Sequence, residues 1–401
     1  MFPKIIVVLS AVEPSLVKTV CVKLSRLLYN QKTIAKFDEA LCVMSFFYQV
    51  YRQTVPSRVR RHLMVDKTMP NQNTELYDAF EQNGRQSSAY FIFQEHVQCF
   101  ESENKIGQVF FASQMTPLGR VQIVFTNPIC SEENMTALLK EFLAEQRVPT
   151  LFVAVDQEVA EALRPLGYYI NQTGTESRIP LKSFELHGHK KKQLRHAANY
   201  GRRKNCEVKE LQWCDVDEVQ VKSLSNAWRK SKGVSTREMQ FVTRPPVFGD
   251  EWGVRKFYCM QGDKLLAYVF FDPYFKQGKL VGYCANILRS LPERDCNGAI
   301  DFTILEAVKI FKEEGVSELS LGVAPLNNIQ KDVNDRRGAR WFSQLFYNYG
   351  NGLYACKALA YHKSRYRPIE TPWYLCTKDV SLFRAYWGLL FGLKVLGSKE
   401  L

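Results

Sequence analysis

The segment 320–326 of this 401-residue chain has the composition of a turn that can support acyl transfer. Gly322 permits a close backbone approach, and Pro325 suits a turn or the first position of a helix. Backbone N–H groups exposed at such a turn can stabilise the oxyanion that forms when a carbonyl is attacked. A plain connection between a strand and a helix has the same composition, so both interpretations stay open.

A second segment, 361–368, alternates cationic and aromatic side chains. On a strand, Lys363, Arg365 and Arg367 would lie on one face, because side chains two residues apart point the same way. Such a face would bind a phosphate or a carboxylate, and it would equally suit a solvated strand. Together the two segments predict a cleft whose cationic wall lies beside an oxyanion-stabilising turn.

The most basic part of the chain is 187–204, which contains seven Lys or Arg residues and no acid. Residues 193–200 are compatible with a helix. One-signed segments are often only a solvated face. The alternative is a phosphate clamp, since Lys and Arg neutralise phosphates without reading sequence and in a salt-sensitive way. The net charge of +13 favours anionic partners such as RNA or acidic lipid headgroups.

Common catalytic signatures are absent from the sequence. It contains no GxSxG, HExxH, Walker or GxGxxG motif, and its eleven cysteines form no CxxC pair. We therefore expect reduced thiols in a cytosolic protein, with no metal site and no cofactor. The glycine-rich turn with which N-acetyltransferases bind coenzyme A is also missing, because the nearest segment, 334–339, reads NDRRGA. This makes acyl-coenzyme A a less favoured donor.

The elements that must position these segments follow a mixed α and β pattern in both halves of the chain. Apolar residues make up 46% and charged residues 24%, so each half can bury a core. The predicted strands are 89–93, 107–111, 121–125, 151–155, 256–260, 265–272, 279–287 and 318–321, and the predicted helices are 134–145, 219–230 and 298–314.

The order strand, strand, strand, helix, strand in the second half is that of the acyltransferase core of N-acetyltransferase (GNAT) type. We therefore predict an α+β protein with tandem GNAT-like domains joined by a basic helix. The predicted parts are an N-terminal helical arm (1–50), a first GNAT-like domain (51–185), a basic linker helix (186–206), a second, catalytic GNAT-like domain (207–378) and a C-terminal amphipathic helix (379–401).

Both ends of the chain carry apolar segments, and neither reaches the roughly 20 residues of a membrane span. The short apolar run in 1–12 is followed at once by Glu13, so we interpret it as a buried strand or helix start. Residues 14–31 show helical spacing of apolar side chains. Residues 380–397 predict a helix with a broad apolar and aromatic face. That helix either lies in a membrane interface or docks on the protein's own surface.

Beyond these local patterns, the sequence resembles the C-terminal cytosolic domain of phosphatidylglycerol lysyltransferases and alanyltransferases, the aminoacyl-phosphatidylglycerol synthases. The similarity runs in order over residues 120–376, and its most specific blocks are 320–326 and 363–368. At three positions the sequence departs from what the family commonly has. Asn286 stands in place of an acid, Glu370 in place of a tryptophan and Trp373 in place of an arginine.

The resemblance implies that aminoacyl-tRNA is the donor and that the hydroxyl of an anionic phospholipid, such as phosphatidylglycerol, is the acceptor. The two substrates would enter a tunnel from opposite sides. The implied location is the cytoplasm, peripheral at the inner face of the cytoplasmic membrane, with the C-terminal helix as the contact.

On this basis we assign roles to individual residues. Lys363 and Arg365 bind phosphate or the charge of the transition state, while Asp301 and Glu176 contact the transferred group or its proton. Asp301 would also be stabilised as an ordinary acid at a helix N-terminus. The remaining substrate-binding residues are Asn286, Ser320, Gly322, Ala324 and Tyr366, and those that hold the tRNA or the headgroup are Lys191, Arg195 and Arg202.

Two other functions stay open. One keeps the fold and changes the donor, giving a GNAT-type N-acyltransferase that uses acyl-coenzyme A or acyl carrier protein. The other is a non-catalytic binder of anionic membrane or RNA, for which the basic segment and the C-terminal helix would suffice.

Overall fold

The computed structural model describes residues 70–231, 238–349 and 355–393. The predicted N-terminal arm (1–50) and its helix (14–31) lie outside these ranges. Within them the fold is mixed α and β, with one large sheet. The strands are β1 (Gln98–Glu101), β2 (Gly107–Thr116), β3 (Gly119–Val124), β4 (Ile129–Cys130), β5 (Thr150–Val155), β6 (Tyr169–Pro180), β7 (Glu207–Glu210), β8 (Arg255–Gln261), β9 (Lys264–Lys276), β10 (Lys279–Ser290), β11 (Glu318–Pro325) and β12 (Ile369–Thr377).

Helices cover both faces of this sheet, and most lie where apolar side chains recur at helical spacing. The described helices are α1 (Pro70–Asn83), α2 (Met135–Glu145), α3 (Gln157–Leu163), α4 (Lys192–Ala198), α5 (Tyr200–Lys204), α6 (Glu218–Ser231), α7 (Ala299–Glu313), α8 (Arg337–Tyr349), α9 (Cys356–Ser364) and α10 (Leu382–Gly392). The predicted helices 134–145, 219–230 and 298–314 are confirmed as α2, α6 and α7.

Three sequence expectations are corrected. The predicted strand 89–93 is a 3-10 helix, Ala89–Phe93, whose first four residues are all buried beneath α1, so its apolar run does not alternate between two faces. The segment 361–368 is not a strand, because α9 runs to Ser364. The basic segment is not one helix, since α4 and α5 are separated at Asn199.

The strand order joins both halves of the chain into one sheet. It runs β1-β2-β3-β5-β12-β6-β11-β10-β9-β8-β7, with β4 paired to β2. Strand β12 is late in the sequence, yet it lies between β5 and β6 and is antiparallel to both. Strand β6 then pairs with β11 from the second half.

The sheet opens between β10 and β11, which are parallel. Their pairing covers only Gly282–Cys284 with Glu318–Ser320, although both strands continue beyond it. On its other side, β11 loses register with β6 between Ser320 and Val323. Such a bulge bends a strand and re-aims its side chains, and here it lies at the opening.

The C-terminal helix α10 docks on the protein's own sheet. A Cβ on Gly388 would lie 2.7 Å from Cγ2 of Val121, and one on Gly392 would lie 3.0 Å from Cδ1 of Ile123. Trp387 is also buried. The docked alternative is therefore the one observed, and the membrane-interface alternative is corrected, because the small residues let the helix approach β3. No helix in the described parts of the chain is long and apolar enough to cross a bilayer.

Replacing Gly388 by leucine is expected to lower the free energy of unfolding by about 1–3 kcal/mol, because the added side chain overpacks the contact with Val121. Thermal or urea unfolding of the purified protein measures the change. The control is Gly262→Leu, since a Cβ at Gly262 meets nothing within 4 Å and only backbone strain is added. A loss no larger than that of the control would show that α10 is not seated on β3.

Candidate active site

A row of polar side chains crosses one face of the sheet at the level of the opening. Asp272, Cys284, Ser320 and Arg178 are neighbours in register on β9, β10, β11 and β6. Residues directly opposite each other on paired strands point to the same face. Glu176 lies two residues before Arg178 and therefore joins the row. We call these five residues the polar row.

Glu176 is the buried centre of this row. Its carboxylate accepts hydrogen bonds from the Ser320 hydroxyl at 2.6 Å, from Nε of Arg178 at 2.9 Å and from Nε1 of Trp373 at 3.1 Å. A buried carboxylate needs such donors to keep its charge. The tryptophan that departs from the family pattern thus supplies one of the bonds to Glu176.

Lys363 lies in the last turn of α9, above the polar row. Its ammonium donates to the Val323 carbonyl at 2.6 Å and lies 3.6 Å from where a Cβ on Gly322 would be. Burial lowers the pKa of Lys363 to about 8, although Cys284 and Glu176 oppose that shift. Gly322 has φ +72°, a conformation that glycine adopts without strain and that leaves room for the ammonium. Lys363 is therefore a buried cation with donor capacity at the opening of the sheet.

The turn at Gly322 differs from the expectation in one respect. The Gly322 N–H donates to the Ser320 hydroxyl at 3.0 Å, so it is already occupied. Ala324 is buried within the ladder opposite Thr175. The Gly322 N–H is thus bonded within the turn, and the Lys363 ammonium is the nearest side-chain donor described beside it.

Asp301 lies in the first turn of α7 and is the centre of a second group of residues. It accepts a hydrogen bond from the Tyr366 hydroxyl at 2.7 Å and pairs with Arg365 at 2.8 Å and with Nε2 of His362 at 3.0 Å. Burial by itself would raise the pKa of Asp301, but His362, Arg365 and Tyr366 outweigh it and hold that pKa below its ordinary value. Asp301 is therefore a charged hub and not only a helix N-terminal acid.

The end of α9 connects these two groups. Lys363 and Arg365 do not share a face, because they lie at the end of a helix, where residues two apart point about 200° from each other. Lys363 contacts β11, whereas Arg365 contacts α7. Tyr366 packs among the buried apolar residues between α7 and the sheet. Arg367 is exposed and belongs to neither group.

A cavity of about 600 Å³ opens beside Arg365. The basic segment, the residues before α7 and the end of α9 form its walls. Its lining includes few groups that can carry negative charge, and the carboxylate of Asp301 is already paired with Arg365. The lining residues are Lys192, Gln193, His196, Ala197, Arg203, Asn297, Gly298, Asp301 and Arg365. This cavity is electrostatically suited to a phosphate.

The three basic residues assigned from the sequence to the tRNA or the headgroup do not line this cavity. Lys191 donates to the Glu185 carbonyl at 2.7 Å, Arg195 donates to the Leu186 carbonyl at 2.9 Å, and Arg202 is exposed. Their neighbours Lys192 and Arg203 line it instead. The charge run indicated the right segment, but only the orientation of α4 and α5 decides which side chains face the cavity.

Asn286 belongs to a further buried network. Its amide donates to Asp272 at 2.8 Å and accepts from the Thr243 hydroxyl at 3.1 Å. Arg244 forms two bonds to Asp272, at 2.6 and 2.9 Å, and an ion pair with Glu251. Sequence reasoning missed Arg244, because its partner Asp272 lies 28 residues away along the chain and no local pattern links the two. Every carboxylate in this network is paired.

Among the residues described, no group of three or more His, Cys, Asp or Glu side chains could hold a metal ion. The nine cysteines in the described ranges form no disulfide.

The chain is similar in sequence to a family of known proteins. The family model described as "Phosphatidylglycerol lysyltransferase, C-terminal" matches residues 77–377. The chain belongs to this family. The phosphatidylglycerol lysyltransferase of Bacillus subtilis is 23% identical over 262 residues, which are 63% of this chain and 29% of that protein. That of Staphylococcus epidermidis (strain RP62A) is 21% identical over 326 residues, 79% of this chain and 36% of that protein. The chain thus spans about a third of the length of these curated relatives.

Solved structures share the fold. L-PGS from Bacillus licheniformis superposes with a TM-score of 0.63 at 18% identity, covering 81% of this chain and 97% of that one. The C-terminal domain of a putative lysylphosphatidylglycerol synthetase from Agrobacterium fabrum gives a TM-score of 0.61 at 20% identity, covering 80% and 96%. The lysyltransferase family fold therefore extends over the polar row, the α9 end and the cavity.

Proposed function

We propose that this protein transfers an aminoacyl group from aminoacyl-tRNA to a hydroxyl of an anionic phospholipid such as phosphatidylglycerol. The observation that carries the proposal is the junction at the end of α9. There a buried ammonium faces the opening of the sheet, and a guanidinium two residues later faces a cationic cavity. Family membership supplies the substrate classes.

The reaction would be an ester exchange. The acceptor hydroxyl oxygen attacks the carbonyl carbon of the aminoacyl ester, the bond from that carbon to the ribose oxygen breaks, and the proton passes from the acceptor hydroxyl to the ribose oxygen. Lys363 would stabilise the negative oxygen of the tetrahedral intermediate. Arg365 would hold a phosphate at the mouth of the cavity, with Asp301 fixing its guanidinium.

The other predicted site residues would have supporting roles in this ester exchange. Glu176 would position Ser320 and the wall beside Lys363, because its carboxylate accepts hydrogen bonds from Ser320, Arg178 and Trp373. Asn286 and Tyr366 would shape the site through Asp272 and Asp301. We also propose that 51–185 and 207–378 are two GNAT-like halves built on the shared sheet, with 186–206 as the basic connection between them and 379–401 as the closing helical segment.

The test is transfer in a purified system. Radiolabelled aminoacyl-tRNA and phosphatidylglycerol vesicles are incubated with the protein, and the lipid product is identified by mass spectrometry. Ribonuclease treatment of the donor should abolish the product. Product formed from an acyl-coenzyme A or an acyl carrier protein, with none from tRNA, would instead support an N-acyltransferase. Salt-sensitive binding without any product would support a non-catalytic binder.

Two neighbouring arginines, one that lines the cavity and one that does not, allow a test of whether the cavity binds phosphate. Replacing Arg203, which lines the cavity, should weaken tRNA binding and lower the slope of log affinity against log salt by about one. The neighbouring Arg202→Ala is the control, because Arg202 is equally exposed but does not line the cavity. Filter binding over a salt series measures both. Equal slopes for the two variants would contradict the assignment.

A further inference from the structure

One exposed surface combines apolar side chains with cations and lies away from the elements described as the candidate active site. Val333 is 98% exposed and Trp341 is 43% exposed, on the loop before α8 and on α8 itself. Tyr169, at the start of β6, is 45% exposed. Large apolar side chains that remain this accessible mark an interaction surface when they cluster.

Tyr169 and the loop that carries Val333 lie side by side, and α8 with Trp341 follows that loop directly. The loop before α8 lies against the start of β6, since the Ile170 N–H donates to the Asn334 carbonyl at 3.0 Å and the Asn334 amide donates to the Tyr168 carbonyl at 2.8 Å. The Arg336 guanidinium lies 5.5 Å from the centre of the Tyr169 ring. We call Tyr169, Val333 and Trp341, with their surrounding cations, the α8 surface.

Apart from Tyr349 at the end of α8, the exposed positions of this helix form one stripe. Arg337, Trp341, Gln344 and Asn348 are exposed and recur at intervals of four, three and four residues, which places them on one side of a helix. The opposite side carries Ala339, Ser343 and Phe346, which are buried. The helix therefore presents a tryptophan flanked by polar groups, and its other side anchors it to the protein.

The charge of the α8 surface is positive. Lys331 and Arg337 are exposed, whereas the two carboxylates of the same loop are ion-paired, one of them to an arginine that it shares with Glu161. Asp332 pairs with Arg164 at 2.8 Å, and Asp335 pairs with Arg340. Exposed cations around a tryptophan, a tyrosine and a protruding valine match the headgroup region of an anionic bilayer. In that region aromatic rings lie at the level of the headgroups, and cations pair with the phosphates of the anionic lipids.

We propose that the α8 surface docks the protein on an anionic phospholipid bilayer. The inference extends the proposed function, from which it takes the lipid acceptor. Val333 would insert between headgroups, Trp341 and Tyr169 would lie at the headgroup level, and Lys331 and Arg337 would pair with lipid phosphates. A bilayer is favoured over RNA as the partner because a protruding valine gains nothing from a phosphate backbone but is taken up by a lipid interface. The α8 surface, and not α10, would then be the membrane contact, because the apolar side chains of α10 lie against β2 and β3.

Vesicle flotation with the purified full chain, in the absence of tRNA, tests the proposal. The protein should bind vesicles of phosphatidylcholine with one quarter phosphatidylglycerol and not vesicles of phosphatidylcholine alone. Val333→Glu and Trp341→Ala should each lower the partition coefficient about tenfold. Val219→Glu is the matched control, because Val219 is another strongly exposed valine (77%), on α6, and receives the same change of charge. Its binding should equal that of the wild type.

Binding of Val333→Glu and Trp341→Ala at the wild-type level would overturn the proposal. So would a wild-type protein that fails to bind the anionic vesicles, or variants that lose tRNA binding and keep vesicle binding, which would assign the α8 surface to RNA. Vesicle binding that depends on Val333 and Trp341, without any aminoacylated lipid product in the transfer assay, would support the docking surface and refute the proposed function.

Discussion

Replacing Lys363 by alanine is expected to lower the rate of aminoacyl transfer by about 100-fold or more, the size of effect seen when one oxyanion donor is removed. Lys363 is the buried cation at the opening of the sheet, and its ammonium lies beside Gly322. The free energy of unfolding should change by no more than about 1 kcal/mol, because the lost bond to Val323 is offset by the removal of a poorly solvated charge. Steady-state transfer assays and urea unfolding measure the two quantities.

The matched control for this variant is Lys357→Ala. Lys357 lies on the same helix, α9, but its side chain is exposed, and among the described residues its ammonium contacts the Asn348 carbonyl and the Tyr347 ring. It should retain wild-type transfer. If Lys363→Ala transferred as fast as Lys357→Ala, Lys363 would have no part in the chemistry.

The pH dependence of transfer separates two roles of Lys363. Its pKa is about 8, lowered by burial, so the ammonium loses its proton as the pH rises through that value. A cation that stabilises an oxyanion must be protonated, and the rate should therefore fall above about pH 8. A rate that rises through the same range would mean that the neutral amine acts as a base.

Replacing Asp301 by asparagine is expected to lower the free energy of unfolding by about 3 kcal/mol and to abolish most of the activity. The change leaves the Arg365 guanidinium without its counter-charge beside a largely buried position, and it removes the carboxylate that Nε2 of His362 contacts. The Tyr366 hydroxyl can still donate to the new amide oxygen, so the fold should survive. Urea unfolding with transfer assays checks both parts.

Glu306→Gln is the control for Asp301→Asn. Glu306 is also on α7 but pairs with Lys309, three residues later at the surface, and its loss should cost less than about 0.5 kcal/mol. The pKa of Asp301 is held below its ordinary value, so its stabilising effect is present above about pH 4 and is lost as the pH falls below that. The difference in stability between wild type and Asp301→Asn should shrink accordingly. A constant difference down to pH 2 would contradict the ion pairs.

Local patterns were sufficient for most helices and strands, because each of these elements buries one face at its own period. They failed where burial did not follow a period, as at Ala89–Phe93, which is enclosed by α1 and Trp252. They failed again at 361–368, where alternating charge resembled a strand although the backbone is helical.

The sequence predicts which residues belong to the site better than it predicts the contacts between them. Lys363, Gly322, Glu176 and Ser320 were all named from sequence, and the structure brings them together. Which of them bond to each other depends on the register of β6, β10 and β11 and on the end of α9. These are long-range pairings, and no local pattern contains them. The same holds for Arg203, whose orientation follows from the interruption between α4 and α5. The roles assigned to these residues stay predictions, as do the domain boundaries.

The position of β12 has a consequence for how the protein is made. Strands β5 and β6 leave the ribosome long before Ile369–Thr377, which must later enter between them. Until the second half is translated, β5 lacks the partner for one of its edges and β6 lacks the partners for both, and exposed edges of this kind invite wrong partners. A fragment that stops before β12 would lack a strand from the middle of its own sheet, and β5 and β6 would have nothing to join them.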